Sequence, residues 1–197
     1  MKIEKEFYLG SDVVRIARDL LGKVLCTVIN GRETAGIIVE TEAYRGATDR
    51  ASHAYPSRKT RRNSIMFDEG GKAYVYLIYG MYHLFNIVTN KVNNPDAILI
   101  RALEPVRGID IMMERRNKIS KEKITSGPGI LSQAMGIDLS IYGEDLTGSK
   151  IWLEYAEEKQ PPTEIVRTGR IGVGYAGEDA MLPWRFYIAD NPWVSKT

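Results

Sequence analysis

Apolar residues recur at Val13, Ile16, Ala17, Leu20 and Leu21, the i, i+3, i+4, i+7 spacing of a helix with one buried face. Ser11 stands where an N-cap belongs and Gly22 where a stop belongs, so a helix is expected over 11–21. From Lys23 the pattern changes. Residues 23–29 and 34–42 read as strands, joined through Asn30-Gly31, the dipeptide best suited to a two-residue hairpin turn. Residues 45–71 lose all period and read as a long basic, polar loop; loops of that length in compact domains tend to be functional. Tyr74 to Tyr79 and Tyr82 to Thr89 are aromatic and β-branched and flank Gly80, a second hairpin. Residues 97–104 read as a further strand, 106–117 and 129–136 as helices, and short strands with Gly- and Pro-marked turns fill the rest. Strands and helices do not alternate regularly. That predicts an α+β fold: one compact domain over residues 1–197, with a mixed or antiparallel curved sheet and flanking helices.

Composition changes this picture little. A chain of 197 residues, 44% hydrophobic and 26% charged, can bury a substantial core. No apolar run reaches the length of a membrane span, and MKIEKEFYLG lacks the apolar centre of a signal peptide. A cytoplasmic protein with no membrane partner is expected. The one cysteine, Cys26 in KVLCTVI, reads as a small core residue. With two histidines, His53 and His83, and no cysteine cluster, no metal site is expected.

The net charge of +2 says less than its distribution. Arg58-Lys59-Thr60-Arg61-Arg62 is densely basic, a second basic stretch runs from Arg115 to Lys123, and residues 138–158 are mostly acidic. This fits either opposed basic and acidic faces or two solvated surface segments, and charge alone favours the second.

Several residues carry candidate chemistry. Alternation along a strand puts Glu40, Glu42 and Tyr44 on one face where Ile37-Ile38-Val39 runs into the long loop. A carboxylate there can accept a proton from water, although a lone E-x-E-x-Y is more often a solvent-facing strand end. Arg101 ends the apolar run Ala97–Ile100 and needs a partner if buried; Glu42 is the sensible one. In Tyr74–Tyr82, Tyr76 and Tyr79 are three apart and project to opposite faces, one toward an internal pocket and one at an exposed tip. Aromatic tips can wedge between bases and aromatic walls can stack on an extruded one, but tyrosine is also simply a good strand former. Ser126-Gly127-Pro128-Gly129 opens a helix whose N-terminus suits a phosphate. Arg170-Ile171-Gly172-Val173-Gly174 lacks the third glycine of a dinucleotide fingerprint, but permits close backbone approach to a ligand.

Taken in order, these segments resemble the alkyladenine (3-methyladenine) DNA glycosylase family. The match runs through Val39–Tyr44, His53, Thr60–Asn63 with Met66, Tyr74–Tyr76, Tyr79–Tyr82 with Asn86, and Arg101–Pro105. It continues through Ser126–Pro128, Arg170–Gly177, Arg185–Tyr187 and Pro192–Ser195. It covers nearly the whole chain, and its joint order and spacing are specific. The resemblance implies a protruding, DNA-inserting β-hairpin. It implies Glu42 as general base and Arg101 as a holder of the attacking water. It implies Tyr44, His53 and Tyr76 as aromatic walls around a flipped base, with the His53 backbone on the purine edge, and Asn86 as a limit on which purines fit. Ile171 and Gly172 would line the pocket, and Tyr79 would fill the gap in the duplex. Met66, Met81, Arg61 and Arg62 would lie on the DNA-facing surface. Ile130 stands where many relatives carry a basic residue, so a phosphate contact made there is not expected.

The implied activity is monofunctional. Alkylated or deaminated purines are flipped from double-stranded DNA and the N-glycosidic bond is hydrolysed without metal or cofactor. An abasic site remains, the first step of base excision repair by a cytoplasmic, nucleoid-associated monomer. Two rivals stand beside it. One is a damage sensor or RNA-binding module using the same basic face. The other is a glycoside hydrolase using Glu40 and Glu42, which adjacent same-face carboxylates fit poorly because such pairs normally flank the scissile bond from separate segments.

Overall fold

A computed structural model describes residues 1–118, 121–156 and 164–195. Its framework is one antiparallel sheet: β1 (Val24–Ile29), β2 (Arg32–Tyr44), β3 (Ala73–Ile78), β4 (Tyr82–Thr89), β5 (Asp96–Arg107), β6 (Ile151–Glu154), β7 (Ile165–Thr168) and β8 (Arg185–Ile188). The order is β3-β4-β5-β2-β1-β6, with β8 joined to β2 and β7 to β8. Every described ladder is antiparallel, which settles the sheet type. The sheet curls around β2, whose one edge pairs with β1 over residues 32–37 and with β8 over residues 40–42, while the other edge pairs with β5 from Ala35 to Tyr44.

The helices are α1 (Lys5–Tyr8), α2 (Val13–Asp19), α3 (Ile109–Arg115) and α4 (Pro128–Met135). Val13, Ile16, Ala17 and Leu20 of the α2 region and Leu131, Ala134 and Met135 of α4 join the sheet in one core. No helix among the described residues is long and apolar enough to cross a membrane.

Several expectations need correcting. The N-cap of α2 is Asp12, whose carboxylate accepts from the Arg15 N–H at 3.1 Å, rather than Ser11. The helix expected over 106–117 is shorter because β5 runs on through Pro105 to Arg107, and Gly108 in the left-handed region then starts α3. The 45–71 loop is a chain of tight turns with a 3-10 helix at Ser64–Phe67, and Asn63 pins it. The Asn63 amide nitrogen donates to the His53 and Arg58 carbonyls at 2.8 and 2.9 Å, while its oxygen accepts from the Thr60 N–H at 2.6 Å. The charge asymmetry is weaker than the sequence implies. In the acidic stretch, Asp145 pairs with Lys5 and Lys72, Glu144 with Lys150 and Glu154 with Arg107. In the second basic stretch, Arg115 donates to Thr34 Oγ1 and the Ala134 carbonyl. Residues 119–120 of that stretch and 157–158 of the acidic one lie outside the described residues.

Candidate active site

The site is a row of side chains projected by sheet register. Tyr74 on β3 faces Asn86 on β4, Asn86 faces Leu99 on β5, and Leu99 faces Glu42 on β2. Side chains alternate along each strand, so Tyr76, Leu84, Ala97 and Tyr44 share that face. Thr41, between the two glutamates, points the other way, and its hydroxyl donates to the Ala17 carbonyl of α2 at 2.8 Å. This face forms the floor of a cavity of about 810 Å³.

Register also aims Arg101. Glu40 pairs with Ala102 and Thr41 with Ile100, so Arg101 is an extra residue, a β-bulge. Its side chain lies between the two carboxylates. Nε donates to Glu40 Oε1 at 2.8 Å, and Nη1 lies 3.3 Å from Glu42 Oε1. Glu42 also accepts from the Tyr44 hydroxyl on Oε2 at 2.8 Å and from the Ile171 N–H on Oε1 at 2.7 Å. A carboxylate has about four acceptor sites. Three are used here, and one remains on Oε2. Glu42 is fully buried, directly behind the wall that Tyr44, Arg101 and Ile171 present to the cavity.

Glu40 is a different kind of group. It accepts from Arg101 and Arg185, at 2.8 and 2.7 Å, and twice from Ser195. Burial alone would raise its pKa, but the Arg101 charge and the hydrogen bonds from Ser195 and Arg185 outweigh it and hold the group below the usual range. A carboxylate locked and ionised in this way cannot act as the second acid–base group of a glycoside hydrolase.

The walls are aromatic. The His53 ring meets Tyr76 edge-on at 4.6 Å, and its Nδ1 hydrogen-bonds the Tyr74 hydroxyl at 2.8 Å. His53 is both reached by water and enclosed by these rings, because the wall of a cavity is concave. Burial, and then the charge of Arg62, lower its pKa to about 4, so the ring is neutral at physiological pH. Burial raises the Tyr44 and Tyr76 phenols, with Glu42 adding to both. Tyr44 is backed by Arg170, whose guanidinium lies 4.8 Å from that ring and 5.2 Å from Trp184. Arg170 is in turn fixed by Asp49 through two bonds of 2.5 and 2.9 Å. Asn86 donates from its amide nitrogen to the Tyr74 and Leu84 carbonyls at 3.2 and 3.4 Å, which holds its side chain against the cavity.

The pattern of the methylpurine-DNA glycosylase family matches residues 6–192. The chain belongs to that family. Relatives named "Putative 3-methyladenine DNA glycosylase" agree in length. The one from Natranaerobius thermophilus is 46% identical over 99% of each chain, that from Desulfitobacterium hafniense 45% over 98% of each, and that from Chlamydia felis 46% over 94% of this chain and 95% of its own. Membership places the chain among DNA glycosylases that act on alkylated bases.

Within this family member, Glu42, Arg101, Tyr44, His53, Tyr76, Asn86, Ile171 and Gly172 come together at one cavity or directly behind its wall. Tyr79 is 83% exposed at its rim and Met81 is exposed at the hairpin turn. Strand alternation does not set the direction of Tyr79, because β3 ends at Ile78 and Tyr79 is left-handed with φ 53°. Met66 is not on the exposed surface. It is 1% exposed, because the 3-10 turn packs Ile65, Met66 and Phe67 against Tyr74, Val88 and Ala97. Arg61 and Arg62 are both exposed, and Arg62 lies over the Tyr76 ring at 4.9 Å and donates to the Leu77 carbonyl. Ile130 lines the mouth near the start of α4.

Sequence reasoning missed Asp49, Asn63, Arg185 and Ser195 as supports of the site. Asn63, Arg185 and Ser195 lie in the matched segments, but only their partners reveal their work.

Proposed function

We propose that this chain is a monofunctional glycosylase that flips alkylated or deaminated purines from duplex DNA and hydrolyses the N-glycosidic bond. The observation that carries the proposal is Glu42, pinned by Tyr44, Ile171 and Arg101 with one acceptor site left, immediately behind an aromatic cavity. Water bound to that site attacks C1′ of the flipped nucleotide. Its proton passes to Glu42, the C1′–N9 bond breaks, and the base leaves with the bonding pair. The product is an intact strand with an abasic site. Among the described residues that line the cavity none is a lysine, which supports water rather than an amine as nucleophile.

The cavity suits a cationic alkylpurine. Tyrosine faces attract positive charge, and a His53 that remains neutral does not repel it. Asn86, held in the floor row, limits the purines admitted by collision with the exocyclic amino group of guanine. Tyr79 and Met81 at the hairpin tip enter the duplex where the base has left. Among the described residues, Arg58, Lys59, Arg61 and Arg62 make no ion pair, which leaves this loop for phosphates. The chain acts as a cytoplasmic, nucleoid-associated monomer.

The test is release of free base from methylated duplex in the presence of a chelator, with strand breaks appearing only after alkali. Glu42→Gln should lose about 10²–10⁴-fold in single-turnover rate while keeping lesion-DNA affinity. Nicking in step with base release, or a borohydride-trapped covalent complex, would overturn the water mechanism. Normal turnover by Glu42→Gln would move the base elsewhere.

A further inference from the structure

Four charges are enclosed together behind the cavity: Glu40, Glu42, Arg101 and Arg185. Two are negative and two positive, so the cluster is neutral, but its contacts are shared unequally. Glu40 Oε1 accepts from Arg101 Nε at 2.8 Å, Arg185 Nε at 2.7 Å and Ser195 Oγ at 2.9 Å, and Oε2 accepts from the Ser195 N–H at 2.8 Å. Arg101 approaches Glu42 less closely, with Nη1 at 3.3 Å from Oε1. Arginine ordinarily meets a carboxylate with a two-pronged fork. The bulge at Arg101 instead places the guanidinium between two carboxylates on one strand face, and Glu40 holds the nearer part of it.

We propose that Glu40, fixed by Arg185 and Ser195, is a positioning residue that keeps Arg101 from pairing fully with Glu42 and so leaves Glu42 a free acceptor site for the proton of water. The proposal rests on the reading of Glu42 as general base. A carboxylate gripped by a bidentate arginine has its lone pairs occupied and its charge neutralised, which makes it a poor proton acceptor. Without the charge of Glu40, Arg101 has one anionic partner left within reach, and a guanidinium turned to meet Glu42 with both prongs would reach Oε2 as well as Oε1 and consume the remaining site.

Ser195 extends the argument to the C-terminal segment. Its N–H and hydroxyl both engage Glu40, and its hydroxyl lies 3.4 Å from Arg101 Nη2. The approach to it is held by Asn191, whose side chain donates to Glu104 at 2.8 Å and accepts from the Trp193 N–H at 2.9 Å. This segment therefore reaches the catalytic carboxylate through Glu40 and Arg101, without touching the cavity.

Other groups also bear on Glu42. They are the Tyr44 hydroxyl on β2, the Tyr76 phenol on β3, Arg170 after β7, and the Tyr175 phenol on the 3-10 helix Gly174–Met181. Among these and Arg101, only Arg101 also contacts Glu40. A pH readout therefore separates positioning from general loosening of the site.

The experiment is single-turnover release of 3-methyladenine from methylated duplex across pH, a lesion chosen because its cationic base leaves without protonation. Glu40→Gln should slow release by about 10–100-fold with lesion-duplex affinity kept within about threefold, and the acid limb of the rate profile should move to lower pH. Ser195→Ala should do the same to a smaller degree, and Ser195→Thr, which restores the hydroxyl, should recover the parent profile. A purely structural role would lower the active fraction and leave the acid limb in place. An unmoved limb in a folded Glu40→Gln protein, slowed or not, overturns the proposal. Should Glu40→Gln fail to fold, Ser195→Ala decides by the same criterion. Glu42→Gln runs in parallel. If it is inactive while Glu40→Gln matches the parent, only the positioning role falls; if it turns over normally, the base assignment falls and takes the proposal with it.

Discussion

The inner end of the cavity and the tip of the β3–β4 hairpin are built by opposite rules. At the inner end the charged groups are enclosed and paired: Arg101 lies between Glu40 and Glu42, and Arg170 is clasped by Asp49 and lies close to the Tyr44 and Trp184 rings. At the tip, Tyr79 and Met81 stand exposed on a turn whose backbone at Tyr79 is left-handed. A group that must hold one water against one carbon needs its geometry set before the substrate arrives. A group that must enter a deformable duplex needs exposed surface and tolerance of local movement. Arg62 joins the two regions, lying over Tyr76 in the wall while donating to Leu77 on the hairpin.

The largest effect should come from breaking the inner end. Asp49→Asn keeps the shape of the side chain but leaves the Arg170 cation without its counter-charge in a site where both side chains are fully enclosed. Loss of one member of a buried pair costs about 3–5 kcal/mol. A fall of that size in unfolding free energy, read from denaturant midpoints, is expected. A loss below about 1 kcal/mol, the range of surface ion pairs, would erase the contrast between the regions.

A smaller effect is expected where they join. Gly129, in the first turn of α4, packs against Tyr82, the first β4 residue after the hairpin turn, and an added Cβ would lie 2.8–2.9 Å from the Cβ, Cγ and Cδ1 of that side chain. Those atoms cannot swing away as a side-chain end could. Gly129→Ala should cost about 1–3 kcal/mol through overpacking. In the Tyr82→Ala background the penalty should disappear, a coupling that a double-mutant cycle measures directly. Simple additivity would show that helix and hairpin are not in register through this contact.

These positions also show what the sequence could and could not disclose. The α2 face and both hairpins are local patterns, and each is found: Asn30 and Gly31 both take positive φ, as the dipeptide implies. The same-face placement of Glu40, Glu42 and Tyr44 follows from alternation and survives. The partners do not follow from any local rule. Asp49 and Arg170 are 121 positions apart, Glu40 and Ser195 155. Arg101 illustrates the boundary. Its need for an acid is legible from an apolar strand, but its division between Glu40 and Glu42 comes from a bulge that no periodicity marks. The resemblance implies Met66 on the DNA-facing surface, but it is buried against the cavity because a 3-10 turn rotates three apolar residues inward together.

A weaker, pH-dependent effect should come from the wall between the two regions. His53 titrates near 4 in the folded chain against 6.5 as a free side chain, because burial and then Arg62 disfavour its charged form. Between those values the unfolded chain binds the proton and the folded one does not, so stability falls as pH drops from about 6.5 toward 4 and is independent of this group above that window. Carboxylates contribute to acid sensitivity as well, so the informative quantity is a difference. His53→Gln should lose less melting temperature than the parent between pH 7 and pH 5. Equal losses would mean that the ring already accepts a proton in the folded state near its free value, and that the wall is more open than its contacts with Tyr74 and Tyr76 imply.

The smallest effect on folding should come from the tip. With most of its surface in water, Tyr79 contributes little apolar burial, and its left-handed backbone is strained for any residue but glycine. Tyr79→Ala removes the ring and leaves that strain in place, so stability should change by less than about 0.5 kcal/mol. Its effect should appear only with DNA. If the ring fills the space that a flipped nucleotide vacates, it recovers part of the lost stacking, and its removal returns the equilibrium toward stacked base pairs. Capture of a paired lesion should then weaken more than capture of the same lesion already displaced in a bulge, where there is no stack to replace. A fluorescent base analogue beside the lesion reports the flipping step separately from bond cleavage. If Tyr79→Ala flips paired lesions as well as the parent does, another group, with Met81 the nearest exposed candidate, must occupy the gap. If it unfolds the chain instead, the tip belongs with the inner end, and the two regions are not built differently at all.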